Sequence, residues 1–291
     1  MATEDATEPL STAPLPAGAA ATRRGGRNLP LAILSGFGLA AVFLGTLYLN
    51  DWLLLTYVAA IVVVGQLEVD HAFRLRGLRP VTPVAVAAGL IAFYGAYAFG
   101  ATAQSVAIVG LLFGAVAWTL AAADRRDVVA NLGATCLSAL WVPFCASFLG
   151  LLLARPDGRA WVLAVIALTV STDIGAYGFG SQLGRHKLAP SVSPAKTWEG
   201  LVGALVLVLV LAALVTARVV PGLEVWQALL LGLVVVGAAT LGDLAESLFK
   251  RDLGVKDLGH LLPGHGGIMD RVDAMIFTLP AAHLLLLALG L

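Results

Sequence analysis

Long apolar runs separated by short polar stretches fill the chain from about residue 30 to its end. Most runs are close to the roughly 20 residues that a helix needs to cross a bilayer, and a helix satisfies its backbone hydrogen bonds internally. The pattern predicts an all-α polytopic membrane protein. We expect about nine transmembrane helices, at residues 30–49, 52–67, 81–99, 104–122, 128–154, 160–178, 200–220, 225–248 and 272–290. The second run is short, and Pro143 is expected to kink the long fifth run.

Composition supports lipid as the solvent of this chain. Hydrophobic residues make up 59% of it and charged residues 12%, with a mean hydropathy of +0.91. A soluble domain carries about 25% charged residues. The formal net charge is zero, which argues against a nucleic-acid partner, since binding phosphate backbones requires a basic excess.

The chain divides into three parts by composition. Residues 1–28 are rich in Ala, Thr and Pro, have no apolar periodicity and end in three arginines, so we predict a disordered cytoplasmic tail. More than twenty polar or small residues precede the first apolar run, a length that is not typical of a cleaved signal peptide. Residues 29–160 are assigned to N-terminal transmembrane helices. Residues 161–291 form a C-terminal transmembrane region that holds the candidate chemistry described below.

Basic residues predict which way the helices run. With the tail in the cytoplasm, fifteen of the 18 Lys and Arg residues fall on the cytoplasmic side. The other face has Arg155, Arg159 and Arg218. This bias follows the positive-inside rule and places the C-terminus outside, although a re-entrant last segment would reverse that end. Two long polar connections, near residues 179–200 and 250–273, then face the cytosol.

The strongest candidate site lies between residues 243 and 273. Four residues recur at helical spacing at the cytoplasmic end of the eighth span, and two more share a face at the start of the ninth: Asp243, Glu246, Ser247, Lys250, Asp270 and Asp273. Carboxylates inside apolar spans are costly, which favours a functional role for Asp243. Asp243 and Asp270 could together hold Mg²⁺, with substrate phosphates and waters completing its shell.

Glycines precede the ninth span. Gly266 and Gly267 follow His265, and glycine lets backbone N–H groups approach phosphate oxygens at a helix N-terminus. The structural alternative is a solvated charged loop that fixes topology. That alternative explains Lys250 and Arg251 well, but it explains Asp243 poorly.

A second candidate site covers residues 171–200. Asp173 lies in an apolar span, and the following connection offers the hydroxyls of Ser193 and Thr197 with the cation of Lys196. Hydroxyl donors and a lysine on a stiff turn suit an anionic phosphate. The structural interpretation is a helix start, with Ser193 as N-cap and Pro194 in the first helical position. Both interpretations can hold together.

The residues from Ser247 to Asp273 resemble the full signature of the phosphatidate cytidylyltransferase (CDP-diacylglycerol synthase) family. The run is SLFKR, then KD four residues later, then PGHGGIMDRVD, over 27 residues without a departure. The stretch 193–200 resembles the family's second motif, with Ala195 where members often have Lys or Gly. The two motifs lie in the C-terminal 40% of the chain, and the first five spans resemble the family in hydropathy and layout alone.

The resemblance implies a membrane enzyme that transfers a cytidylyl group from CTP to phosphatidate, with a polar cavity open to the cytosol. It implies Mg²⁺ at Asp243 and Asp270, a monovalent cation such as K⁺ beside it, and a homodimer. We expect the protein in the cell inner (plasma) membrane. We expect the phosphate-handling groups to be Lys250, Arg251, Lys256, His265 and Arg271. Substrate contacts are expected from Asp173, Ser193, Lys196, Thr197, Glu246, Ser247, Gly266, Gly267 and Asp273.

Two other functions fit parts of the sequence. A secondary transporter also places carboxylates within spans, but its site lies near the midplane between internal repeats, whereas these charges crowd one face. A related enzyme could use an isoprenoid or ether lipid in place of phosphatidate, because the signature does not read the acyl chains.

Overall fold

Helices follow the apolar runs of the sequence almost segment by segment. The computed structural model describes residues 29–259 and 266–291, with side chains from residue 36 onward. The α-helices are α1 Leu29–Leu49, α2 Asp51–Leu75, α3 Thr82–Phe99, α4 Ala101–Ala121, α5 Val128–Ala139, α6 Phe148–Leu153, α7 Gly158–Leu183, α8 Trp198–Leu211, α9 Ala217–Val219, α10 Val225–Leu253 and α11 Met269–Ala288. Two short strands, β1 Lys187–Ala189 and β2 Ser193–Thr197, lie between α7 and α8.

Eight helical stretches within the described residues are long and apolar enough to cross a membrane. Two of them combine shorter elements, namely Val128–Leu153 and Trp198–Val219. Helix α1 adds a further 21-residue apolar helix, of which Gly36–Leu49 has described side chains. The prediction of an all-α polytopic membrane protein is therefore confirmed. The predicted tail, residues 1–28, lies outside the described residues.

Helix α2 is longer than its apolar run. The sequence pattern ended this span at residue 67, but the helix continues for two more turns to Leu75. The short second span was therefore a wrong prediction. The added turns carry Glu68 and Asp70, whose carboxylates are buried by other parts of the protein. Hydropathy cannot detect such an extension, because tertiary contacts stabilise it.

The fifth span is irregular where proline was expected to disturb it. Residues Leu140–Phe144 form a π-helical segment that includes Pro143. Proline lacks the N–H that an α-helix requires, and a π-bulge is a common way to absorb the loss. Apolar side chains of most of the helices form one large buried cluster, whereas Leu111 of α4 packs in a smaller one with α3 and α5.

A β-hairpin connects α7 and α8, where the sequence predicted a helix start at Ser193. Ser193 instead pairs with Ala189, and Lys187 pairs with Thr197, in an antiparallel ladder. The N-cap of α8 is Thr197, whose hydroxyl accepts a hydrogen bond from the Gly200 N–H at 3.1 Å. The predicted Ser193 N-cap is wrong, because the strand pairing extends the chain through residue 197.

Polar contacts mark the two ends of the bundle. At one end, the Arg76 guanidinium donates hydrogen bonds to two carbonyls at the C-terminus of α10, that of Leu253 at 2.8 Å and that of Asp252. At the other end, Arg159 pairs with Asp51 at 2.8 Å. The hairpin, the end of α10 and the start of α11 therefore share the end of the bundle at which α2 terminates.

Candidate active site

A cavity of about 300 Å³ lies between α7, the hairpin, α8 and α10. Both candidate sites of the sequence contribute to its wall, through Asp173, Ser193, Lys196, Thr197 and Asp243. Apolar residues such as Leu188 and Leu201 complete the wall. Lys196 and Asp243, which are some fifty residues apart in the sequence, thus lie on the wall of one pocket.

An ion pair between Lys196 and Asp243 crosses this cavity wall. The Lys196 side chain is 23% exposed and that of Asp243 is 35% exposed, so water and solutes reach both. Asp173 is exposed on the same wall and interacts electrostatically with Asp243 and Asp273. The expected cost of burying Asp173 in an apolar span is therefore reduced, since the cavity gives its carboxylate access to water.

A second charged centre joins α10 to α11. The Lys250 ammonium lies 3.2 Å from Glu246 Oε2 and 2.8 Å from Asp270 Oδ1. The other Asp270 oxygen accepts a hydrogen bond from the Gly267 N–H at 2.7 Å. Asp273 lies close enough to Glu246 and Asp243 to interact with both. Carboxylates of α7, α10 and α11 therefore form one acidic zone, compensated by Lys196 and Lys250: Asp173, Asp243, Glu246, Asp270 and Asp273.

The remaining signature residues lie in several different places, and Lys256 is not in the cavity of Lys196 and Asp243. Arg251 reaches back to the hairpin and donates to the Val192 carbonyl at 3.2 Å. Lys256 and His71 line a separate cavity of about 220 Å³ between α2 and the connection that follows α10. Ser247 is half-buried on α10, and Arg271 is exposed in the first turn of α11.

The glycines before α11 have structural roles that the sequence did not predict. Gly266 has a φ of +79°, and a Cβ built on it would lie 3.0 Å from Asp270 Oδ2. The Gly267 N–H, expected to approach a phosphate, donates here to Asp270. His265 lies outside the described residues.

Helix α2 contributes residues that sequence reasoning missed. Glu68 accepts hydrogen bonds from the N–H groups of Ile268 and Met269, at 3.1 and 2.9 Å. Asp70, fully buried, accepts from Thr82 at 2.6 Å and from Gln66 at 3.2 Å. The available signal was the pair of carboxylates directly after an apolar run, a placement that is costly without partners.

The predicted Mg²⁺ ligands are carboxylate oxygens, a ligand type that Mg²⁺ takes in proteins. Within residues 29–259 and 266–291, no group of three or more His, Cys, Asp and Glu side chains is arranged to hold a metal ion. Asp243 and Asp270, the predicted ligands, each face a lysine ammonium instead. Mg²⁺ in proteins is usually held by one or two carboxylates, with phosphates and waters supplying the other ligands, so the prediction of Mg²⁺ at these carboxylates does not require a larger cluster.

Comparison with known proteins agrees with this architecture. Residues 31–289 match the model of the cytidylyltransferase family. A Mycobacterium bovis protein named phosphatidate cytidylyltransferase is 34% identical over 278 residues, which cover 91% of this chain and 90% of the relative. One of the same name from Mycobacterium leprae is 37% identical over 88% of this chain and 86% of its own. A third, from Staphylococcus haemolyticus, is 44% identical over 133 residues, or 46% of this chain and 51% of the relative.

A helical membrane bundle with a charged cavity at one end, matched over this length, defines a membrane-embedded nucleotidyltransferase. The chain belongs to the cytidylyltransferase family. The resemblance seen in the two motifs and the prediction of an enzyme are both confirmed, and the matched region contains both motifs.

Proposed function

We propose that this protein converts CTP and phosphatidate into CDP-diacylglycerol and pyrophosphate, a step of phospholipid biosynthesis. The observation that carries the proposal is the cavity where Lys196 and Asp243 meet, at the end of helices that are apolar enough to lie in a bilayer. A lipid substrate can remain in the leaflet there while a nucleotide enters from water. The names of the mycobacterial relatives support the same reaction.

The reaction is an in-line displacement at the α-phosphorus of CTP. A phosphate oxygen of phosphatidate forms the new P–O bond, and the bond between the α-phosphorus and the oxygen bridging to the β-phosphate breaks. Pyrophosphate leaves with that electron pair. The nucleophile is already an anion, so the main barrier is bringing two polyanions together, and positioning with charge neutralisation supplies most of the catalysis.

The two lysine centres suit the two sides of this displacement. Lys196 and the hydroxyls of Ser193 and Thr197 line the cavity and bind phosphate oxygens of CTP. Lys250 lies beside Asp270, and with Arg251, Lys256 and Arg271 it neutralises the departing pyrophosphate. When substrate arrives, Lys196 exchanges part of its contact with Asp243 for contact with phosphate, which frees a carboxylate in the same pocket.

Asp243 and Asp270 are the residues that would hold Mg²⁺, with Asp173 and Asp273 beside Asp243. A bound Mg²⁺ would act as a Lewis acid on the phosphoryl oxygens, and the family resemblance adds a monovalent cation such as K⁺ to this proposal. Removing Mg²⁺ with a chelator should therefore stop turnover, and adding it back should restore turnover.

The proposed setting is the cell inner (plasma) membrane, with the N-terminus and the cavity facing the cytoplasm and two chains forming a homodimer. The distribution of Lys and Arg supports this orientation. So does the grouping of the hairpin, the end of α10 and the start of α11 at one end of the bundle.

The experiment uses purified protein in detergent with phosphatidate, Mg²⁺ and CTP labelled at the α-phosphate, and follows label into the organic phase. We expect transfer that requires both phosphatidate and Mg²⁺. CTP labelled at the γ-phosphate is the matched control and should leave no label in the lipid. Folded protein that gives no transfer with phosphatidate would refute the proposal, and transfer to an isoprenoid or ether lipid phosphate would redirect it.

A further inference from the structure

A buried carboxylate of α2 accepts hydrogen bonds from the backbone at the start of α11. Glu68 is only 8% exposed. Its two oxygens accept hydrogen bonds from separate backbone groups, Oε1 from the Ile268 N–H at 3.1 Å and Oε2 from the Met269 N–H at 2.9 Å. These contacts join residues that are 200 and 201 positions apart in the chain.

The contact has the chemistry of a helix cap supplied from a distant element. The first N–H groups of a helix have no partner within that helix, and negative charge near them is stabilised by the helix dipole. Hydrogen bonds to an ionised carboxylate are stronger than neutral ones. Ile268 and Met269 begin α11 without a side-chain cap of their own at the N-cap position, so Glu68 fills that role.

The connection around Glu68 is shaped to admit this side chain. A Cβ added to Gly259 would lie 2.1 Å from Glu68 Oε1, and one added to Gly267 would lie 2.5 Å from Glu68 Oε2. Glycine at both positions therefore lets the chain close over the carboxylate on two sides. Gly267 was expected to serve phosphate binding, but its N–H donates to Asp270, and a Cβ added to it would first meet Glu68.

The next residue along α11 is Asp270, which pairs with Lys250 and accepts the Gly267 N–H. The position of the α11 N-terminus therefore fixes where Asp270 lies relative to Lys250 of α10. We propose that Glu68 is a positioning residue of the active site, holding the start of α11 so that Asp270 and Lys250 face the reacting phosphates; this role rests on the cytidylyl transfer proposed above.

The test compares wild type with Glu68→Gln in the full-length protein. Glutamine is nearly isosteric, but it replaces one acceptor oxygen by an NH₂ group that faces a backbone N–H. Hydrogen exchange, measured by mass spectrometry on peptides covering residues 266–271, reports the contact without needing activity. We expect exchange to be roughly 10- to 100-fold faster, the factor that losing a charge-assisted hydrogen bond gives. The kcat should fall by a similar roughly 10- to 100-fold, with the KM for CTP changed by less than about twofold.

A second variant approaches the same contact from the other side. Gly259→Ala should reproduce the loss of kcat, because its Cβ would overlap Glu68. Gly237→Ala in α10 is the matched control, since a Cβ there meets nothing within 4 Å. The double variant Glu68→Gln with Gly259→Ala should be little worse than either single variant, because both changes break one contact.

Each outcome decides a separate question. Unchanged exchange in Glu68→Gln would overturn the contact, and faster exchange with a wild-type kcat per folded protein would overturn the positioning role. Faster exchange combined with a wild-type protein that transfers nothing to phosphatidate would overturn the proposed reaction, while still supporting the cap on α11.

Discussion

Replacing Lys250 by methionine removes a cation that lies between two largely buried carboxylates. Lys250 Nζ lies 3.2 Å from Glu246 and 2.8 Å from Asp270, whose side chains are 2% and 10% exposed. Breaking a buried ion pair by deleting one partner costs about 3–5 kcal/mol, because the remaining charge is left uncompensated. Lys250 itself is 19% exposed, so we take the lower end, about 3 kcal/mol.

For a chain of this size, 1 kcal/mol shifts the unfolding midpoint by about 2–4 °C. We therefore expect Lys250→Met to lower the midpoint of the detergent-solubilised protein by about 6–12 °C, measured by circular dichroism. The matched control is Arg251→Met, the neighbouring residue, which is exposed and makes a hydrogen bond to the Val192 carbonyl. It should shift the midpoint by less than about 2 °C. Equal shifts in the two variants would refute the bridging role of Lys250.

Three further predictions follow from the cavity and its supporting helices. Asp243→Asn should abolish turnover without unfolding the protein, whereas the control Asp252→Asn, farther along α10, should retain activity. Wild-type rates in Asp243→Asn at ordinary Mg²⁺ would contradict the metal assignment. Lys196→Ala should raise the KM for CTP or lower kcat, and the control Lys187→Ala on the paired strand should do neither. Unchanged kinetics in Lys196→Ala would mean that Lys196 has only a structural role. Gly203→Ala places a Cβ 2.2 Å from Phe179 Cγ and should lower the free energy of unfolding by about 1–3 kcal/mol. Gly178→Ala, with open space around its Cβ, is the control in the same unfolding assay, and equal stability of the two would rule out close α7–α8 packing.

The sequence was most informative where local pattern and chemistry coincide. Apolar runs predicted the spans because hydropathy and helix length both reflect the bilayer. Helical spacing predicted that Glu246 and Lys250 share a face, and the structure has them in contact. The family resemblance implied that Lys196 and Asp243 serve one reaction; the structure has them in an ion pair, and their roles stay predictions.

Prediction failed where the decisive partner is distant in sequence. The extension of α2 and the burial of Glu68 depend on backbone groups of α11, which no local window contains. The hairpin was missed for a similar reason, since strand pairing between residues 187 and 197 overrode a serine–proline pair that is typical of a helix start. The roles of Asp243 and Asp270 toward a metal remain predictions, because each carboxylate now faces a lysine.

The hydrogen bond from Met269 to Glu68 also sets the order in which a newly made chain can mature. Ribosomes add about 5–20 residues per second, so α2 has been in place for at least about ten seconds before its partner is synthesised 201 residues later. The hairpin and its two flanking helices are contiguous and can assemble during that interval. The acidic zone around Asp270 forms only once α11 has been made, so a nascent chain that has not reached α11 lacks half of its candidate active site.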